Sequence, residues 1–176
     1  MAIAILAGGL SARMGRDKAR LRFGGRTLLG HVRAAAGATG WPVRVIRRDL
    51  VPRCGPLGGI FTALKTTRAE AVLFLACDMP FVTPALLEGI VGKLGRERRA
   101  VFAEMDHAAG FPFVIRAEAL PVIERQLADK VYSLQRLAAA LRARRVRVPG
   151  SGQGELQNIN TPGEWLALRP KDFPTA

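Results

Sequence analysis

Ala2-Ile3-Ala4-Ile5-Leu6-Ala7-Gly8-Gly9-Leu10-Ser11-Ala12-Arg13-Met14-Gly15-Arg16-Asp17-Lys18 begins as an unbroken apolar run of strand length and turns, at two adjacent glycines, into a polar, basic loop. A strand apolar on both faces belongs inside a sheet covered by helices on each side, which is the setting of parallel α/β sheets. Without Cβ atoms, Gly8 and Gly9 let backbone N–H groups close on an anion or a base. Ser11 adds a hydroxyl, and Arg13 and Lys18 add positive charge. The loop is not a Walker A loop, because Gly9 to Gly15 is one residue too long and Arg16-Asp17 stands where Lys and Ser/Thr belong. Nor does it carry the three spaced glycines of the dinucleotide pattern. A glycine pair after a strand is commonly a turn former; the added hydroxyl and cations make this one a candidate nucleotide loop.

Outward from that loop the chain alternates between short apolar runs and segments of helical period, the pattern of an α/β domain with a mainly parallel, mixed sheet. Helices are predicted over Leu28–Ala38, Gly58–Thr67, Pro84–Leu94, Glu118–Leu127 and Ser133–Ala143. Strands are predicted over Trp41–Ile46, Ala71–Ala76, Ala100–Glu104, Phe111–Arg116 and Arg145–Val148. Thr83 precedes Pro84 as an N-cap before a proline at N1, and Thr161-Pro162-Gly163-Glu164 has capping-box spacing before a short last helix. No repeat, low-complexity segment or linker divides residues 1–176, so a single domain is expected.

At 176 residues such a domain buries roughly 70% of the surface its unfolded chain exposes, and a real core is expected. The apolar runs fall well short of the ~20 residues of a membrane span, and the first run lacks the basic flank of a signal peptide. Cys54 and Cys77 lack zinc-site spacing, and no disulfide framework is needed, so a reducing, cytoplasmic setting is expected. The charge of +13 comes from 27 basic against 14 acidic residues. Most of that excess reads as solvated arginine surface, while arginine forks also suit a polyanionic ligand. Low aromatic content, 6%, and the absence of any recognition-helix, zinc-finger or RNP-like signature speak against specific nucleic-acid binding.

Three further clusters carry chemistry. In Cys77-Asp78-Met79-Pro80 an acidic residue ends a buried strand, and ligands of open α/β sheets gather at that end, beside the loop after strand one. A carboxylate there suits Mg²⁺, which takes one or two protein oxygens and fills its shell with water and phosphate; the alternative is an Asp opening a turn. Gly55-Pro56-Leu57-Gly58-Gly59 marks a loop-to-helix junction. Asn158 and Asn160, alternating about Ile159, present two amide carbonyls on one side of an extended segment, with a turn role before the capped helix as the plainer reading of Asn160.

The strings LAGGLSARMGRDKA, GPLGGI, CDMPF and NINTP, in that order over nearly the whole chain, resemble the molybdenum cofactor guanylyltransferase family. The resemblance implies a Rossmann-like nucleotidyltransferase fold in which Leu6, Ala7, Gly8 and Gly9, with Ser11 and the Gly55-Pro56-Leu57 segment, hold the guanine nucleotide. It also implies that Arg13 and Lys18 contact the phosphates, Asp78 binds Mg²⁺, and Asn158 and Asn160 lie at the catalytic centre. Asp49 matches an acidic position that helps to bind GTP, and residues 100–150 form the acceptor half that receives the pterin.

One departure from the family pattern stands between the first helix and GPLGG, where this chain offers one strand and lacks a strand-plus-helix unit of roughly 20 residues. Arg44, Arg47 and Arg48 are expected to protect the strand edge so exposed. The implied activity is transfer of GMP from GTP to the terminal phosphate of molybdenum-bearing molybdopterin, with Mg²⁺. The expected assembly is a monomer or weak homo-oligomer, in the company of other proteins of molybdenum cofactor biosynthesis. The alternatives are a sister transferase using CTP or another phosphorylated acceptor, which Gly8-Gly9 and Asp78-Met79-Pro80 disfavour, and an arginine-rich nucleic-acid binder.

Overall fold

The computed structural model describes residues 1–8, 22–23, 25–105, 107–148 and 154–167. Strand β1 spans Ala2–Leu6 and is followed by a two-stranded ribbon, β2 (Arg22–Phe23) with β3 (Arg26–Thr27), through Gly25 at φ 81°. The sequence read as a charged loop there, because four paired residues are too few to leave a period. Helix α1 (Leu28–Ala38) opens at Thr27, whose hydroxyl accepts from Gly30 N at 2.9 Å. Then come β4 (Val43–Ile46), α2 (Pro56–Lys65), β5 (Ala71–Ala76) and α3 (Pro84–Gly92), the last capped as expected by Thr83. The second half supplies β6 (Ala100–Met105), β7 (Ala108–Arg116), a 3₁₀ turn (Ala117–Ala119), α4 (Leu120–Ala128), α5 (Leu134–Ala140), β8 (Arg144–Arg147) and α6 (Pro162–Ala167).

Six strands form one mixed sheet in the order β4-β1-β5-β7-β6-β8. β4, β1 and β5 run parallel; β7 is inserted antiparallel between β5 and β6, and β8 returns parallel to β6. Alternate residues of the apolar strands feed two cores, as a period of two requires. Ile3, Ile5, Leu73, Leu75, Val101 and Val114 pack under α1 and α3. Ala4, Phe74, Phe102, Phe113 and Ile115 pack under the opposite helices through Leu57, Ile60, Ile123 and Leu137. On that face Phe102 and Phe113 stack at 4.4 Å and Phe113 and Phe74 at 5.1 Å between centroids, welding three neighbouring strands.

The sheet direction decides where a ligand can sit. From β1 the chain crosses to β4 on one side and reaches β5 on the other, so β1 is the switch point at which helices leave to opposite faces and a crevice opens beyond the strand ends. Among the described residues a single strand, β4, lies on the outer side of β1, as the shortened region predicts. On that edge Arg44 is exposed and reaches Thr66 just past α2, donating to its carbonyl at 3.2 Å and its hydroxyl at 3.0 Å.

Candidate functional site

Beyond the end of β1 the ladder continues on both sides. Ala7 N donates to Ile46 O at 2.9 Å, and Cys77 N donates to Leu6 O at 3.2 Å. Leu6, Ala7 and Gly8 therefore leave the sheet between β4 and β5 under backbone control. Of the sequence-assigned loop, Gly9, Ser11, Arg13 and Lys18 lie outside the described residues. Gly8 itself is placed where a side chain would intrude: a Cβ there would lie 3.1 Å from Arg47 O and 3.6 Å from Asp49 Oδ1.

Asp49 is the residue around which this side of the crevice is built. Its carboxylate leans on the first turn of α2, so close that a Cβ on Gly58 would meet Asp49 Oδ2 at 2.8 Å and Val51 O at 2.6 Å. A Cβ on Gly59 would meet Leu6 Cδ2 at 2.9 Å and Asp49 Oδ1 at 3.4 Å. The adjacent glycines thus let a carboxylate and the end of β1 both close on the start of a helix. Thr62 locks the arrangement, its buried hydroxyl accepting from Leu50 N at 2.9 Å and donating to Gly58 O at 2.8 Å. Burial pushes the Asp49 carboxyl above its ordinary 3.8, while the N-terminal N–H groups of α2 give a negative charge a favourable setting. Upstream, Gly55 caps α2 at φ 55°, a conformation costly for side chains other than glycine, and Pro56 fills the first helical position with Leu57 buried behind it. The helix starts two residues before its sequence-based boundary, because Pro56 needs no N–H partner there.

Asp78 occupies the turn after β5, as the sequence order implied. It is tied to the C-terminal segment by its carbonyl, which accepts from Ile159 N at 2.9 Å. Ile159 is fully buried and anchors the flanking asparagines: Asn158 is half-buried and Asn160 exposed. The Asn158 side-chain oxygen is enclosed and accepts no hydrogen bond from the described residues. One further tie joins this segment to the start of α3. Thr83 Oγ1 donates to Glu155 Oε1 at 3.0 Å, and the capping box forms as read, with Glu164 N donating to Thr161 Oγ1 at 3.1 Å while Glu164 Oε2 accepts from Thr161 N at 3.3 Å and also from Asn160 N at 2.6 Å.

The donor set suits a hard divalent cation. Asp78 offers a carboxylate and Asn158 an amide oxygen that its surroundings leave unspent, and a buried acceptor without a donor is costly unless something bound satisfies it. Among the described residues no three His, Cys, Asp or Glu side chains converge. The sequence did not single out Glu104 and Arg147, which stand on neighbouring strands at the same end of the sheet. An acidic residue closing the apolar strand Ala100–Met105 was the available signal.

The end of β1 at a switch point, a carboxylate just after the neighbouring strand β5 and a second carboxylate seated on a helix start place the candidate site where α/β domains bind their ligands. The chain belongs to the MobA-like NTP transferase domain family, which matches residues 3–148. It is 37% identical to a protein of Opitutus terrae named probable molybdenum cofactor guanylyltransferase, over 92% of this chain and 91% of that one. It is 32% identical to the molybdenum cofactor guanylyltransferase of Xanthomonas euvesicatoria pv. vesicatoria, over 93% of this chain and 92% of that one. In fold it resembles the crystal structure of molybdopterin-guanine dinucleotide biosynthesis protein A from Archaeoglobus fulgidus, with a TM-score of 0.73 at 22% identity over 94% of this chain and 95% of that one. No described helix is long and apolar enough to cross a membrane.

Proposed function

We propose that the protein transfers GMP from GTP to the terminal phosphate of molybdenum-bearing molybdopterin in the cytoplasm, releasing pyrophosphate. The observation that carries this reading is the convergence of Leu6–Gly8, Asp49, Asp78 and Asn158 at the carboxyl edge of β1 and β5, in a chain whose relatives carry the guanylyltransferase name. An oxygen of the acceptor phosphate attacks the α-phosphorus of GTP; the new P–O bond forms as the bond to the β-phosphate oxygen breaks, and the electron pair leaves with pyrophosphate. The attacking phosphate is already ionised at neutral pH, so no general base and no covalent enzyme intermediate are required.

Catalysis then consists of positioning and charge neutralisation. Leu6, Ala7, Gly8 and Gly9 seat the nucleotide, with Ser11 and Gly55–Leu57 completing its walls, and Asp49 accepts from the N–H edge of guanine. Arg13 and Lys18 neutralise the departing pyrophosphate. Asp78, with Asn158, would hold Mg²⁺, which would supply positive charge to lessen repulsion between the two phosphates; Asn160 borders the same centre. Transfer of labelled GMP to molybdenum-bearing molybdopterin, compared with CMP transfer from CTP, tests the reading. The expected result is a guanine dinucleotide product with GTP strongly preferred. CTP used as well as GTP, or no product with this acceptor, would overturn it.

Gly8→Ala is expected to weaken GTP binding about tenfold and to narrow the preference over CTP. The added methyl presses on Arg47 O at 3.1 Å, and relief requires the Arg47–Asp49 backbone, and with it the base-facing carboxylate, to move. Competition binding with both nucleotides reads the change; an unchanged ratio would reduce Gly8 to a turn residue.

A further inference from the structure

Two strands beyond Asp78, at the same end of the sheet, lies a cavity of about 540 Å³ lined by Glu104, Met105, His107, Arg147, Leu156 and Gln157. We infer that this cavity receives the pterin ring of the acceptor and that Glu104 is its specificity residue, reading the 2-amino-4-oxopyrimidine edge. The inference rests on the proposed function for the identity of the acceptor, and on the following chemistry for its place.

The cavity lies where the reaction needs it. In the order β5-β7-β6, Glu104 is two strands from the strand that delivers Asp78, about 10 Å at ordinary strand spacing. Asp49 stands on the opposite flank, beyond β1 and β4, so the crevice has a carboxylate at each end and the metal-binding candidate between them. The cavity and the metal-binding candidate also share a wall: Leu156 and Gln157 lead directly into Asn158 and Ile159, and Ile159 N is bonded to Asp78 O at 2.9 Å. A ring held beside Gln157 therefore lies at the start of the segment that reaches Asp78. The volume falls within the range of small-molecule sites.

The lining matches the ring. Guanine and pterin share one recognition edge, an N–H and an exocyclic NH₂ side by side on a pyrimidinone, and a carboxylate with two acceptor oxygens is its natural complement. Asp49 offers such a group on the nucleotide flank and Glu104 on the other. Glu104 is fixed by its strand: it is the register partner of Arg147 on β8 and of Ala109 on β7. Its side chain is 21% exposed, and Arg147 Nη2 stands 3.6 Å from Oε1, beyond hydrogen-bond length. Arg147 thus stands beside the carboxylate without consuming its acceptors. Met105 and Leu156 supply apolar and polarisable surface for the flat ring, and the sharp turn that holds His107 at φ 63° brings an imidazole to the rim. Gln135 steadies the neighbouring strand, pairing with Ala109 at both N (2.9 Å) and O (2.6 Å).

The test separates the pocket from the reaction. Fluorescence titration of the wild-type protein with 6-hydroxymethylpterin should show saturable binding, and with lumazine, which carries a carbonyl in place of the 2-amino group, binding about tenfold or more weaker. Glu104→Gln, which is isosteric but turns one acceptor into a donor, should abolish that preference. It should also raise the KM for molybdenum-bearing molybdopterin about tenfold or more, with the KM for GTP and the melting temperature unchanged; Asp49→Asn should show the opposite split. Gln157→Trp, which blocks the cavity from an exposed position, should raise the acceptor KM alone. If Glu104→Gln keeps the pterin-over-lumazine preference and the wild-type acceptor KM, the assignment is overturned while the transfer reaction stands. If the wild type makes no guanine dinucleotide yet prefers pterin through Glu104, the transfer reaction falls and the pocket stands.

Discussion

Asp78→Ala should fold as the native chain does and lose transfer by about 10²- to 10³-fold or more, the usual penalty for removing one charged group that acts on developing phosphate charge. The fold is expected to survive for local reasons. One contact that Asp78 makes with the C-terminal segment is through its backbone carbonyl, which an alanine retains, and the anchors around it, Met79 and Ile159, are untouched and fully buried. The loss in transfer is expected because the remaining candidate ligand, Asn158, is neutral and cannot replace a carboxylate in holding Mg²⁺. Circular dichroism and thermal melting check the first half. GMP transfer across a magnesium titration checks the second: near-native turnover at saturating magnesium would remove Asp78 from the metal site.

Gly58→Ala and Gly89→Ala are the same substitution inside two helices and should have opposite signs. At Gly89, exposed on α3, an added Cβ meets no atom within 4 Å, so the better helix propensity of alanine is realised and stability should rise by about 0.5–1 kcal/mol. At Gly58 the same Cβ would sit 2.6 Å from Val51 O and 2.8 Å from Asp49 Oδ2. No real Cβ tolerates a backbone oxygen at that distance, so the segment carrying Asp49 must retreat from α2. Overpacking of this kind costs about 1–3 kcal/mol, which outweighs the ~1 kcal/mol propensity gain. Melting should fall by several degrees, on the scale of about 2–4 °C per kcal/mol for a domain of this size. The larger effect is on the nucleotide: with Asp49 displaced, GTP affinity should drop more than tenfold while Asp78-dependent metal binding persists. A Gly58→Ala protein with native melting and native GTP affinity would show that Asp49 is a bystander.

Much of the architecture was legible before any coordinates. Ala2–Leu6 and Ala71–Ala76 are unbroken apolar runs of strand length, which read as buried strands of an α/β sheet, so Gly8 and Asp78 were expected at strand ends. Thr27, Thr83 and Thr161 announce helix starts because a cap is a local bargain between one hydroxyl and a backbone N–H a few residues away. The single strand between α1 and α2 was equally plain, since a missing unit leaves a gap of known length. The hairpin of β2 and β3 was not legible, four paired residues being too short to impose a pattern.

What the sequence by itself determined, then, is the order of the six sheet strands and of the helices, the caps at Thr27, Thr83 and Thr161, and the residues that stand at the ends of β1 and β5, because each is written in period, turn chemistry or contact within one helical turn. Only the tertiary structure decided that β7 enters antiparallel between β5 and β6, that Glu104 comes into register with Arg147, and that Asp49 rests on Gly58 and Gly59. Those outcomes depend on which strands pair and how closely two backbones approach. Both are settled by the simultaneous packing of side chains far apart in sequence, such as Phe74, Phe102 and Phe113, and that packing has no local signature.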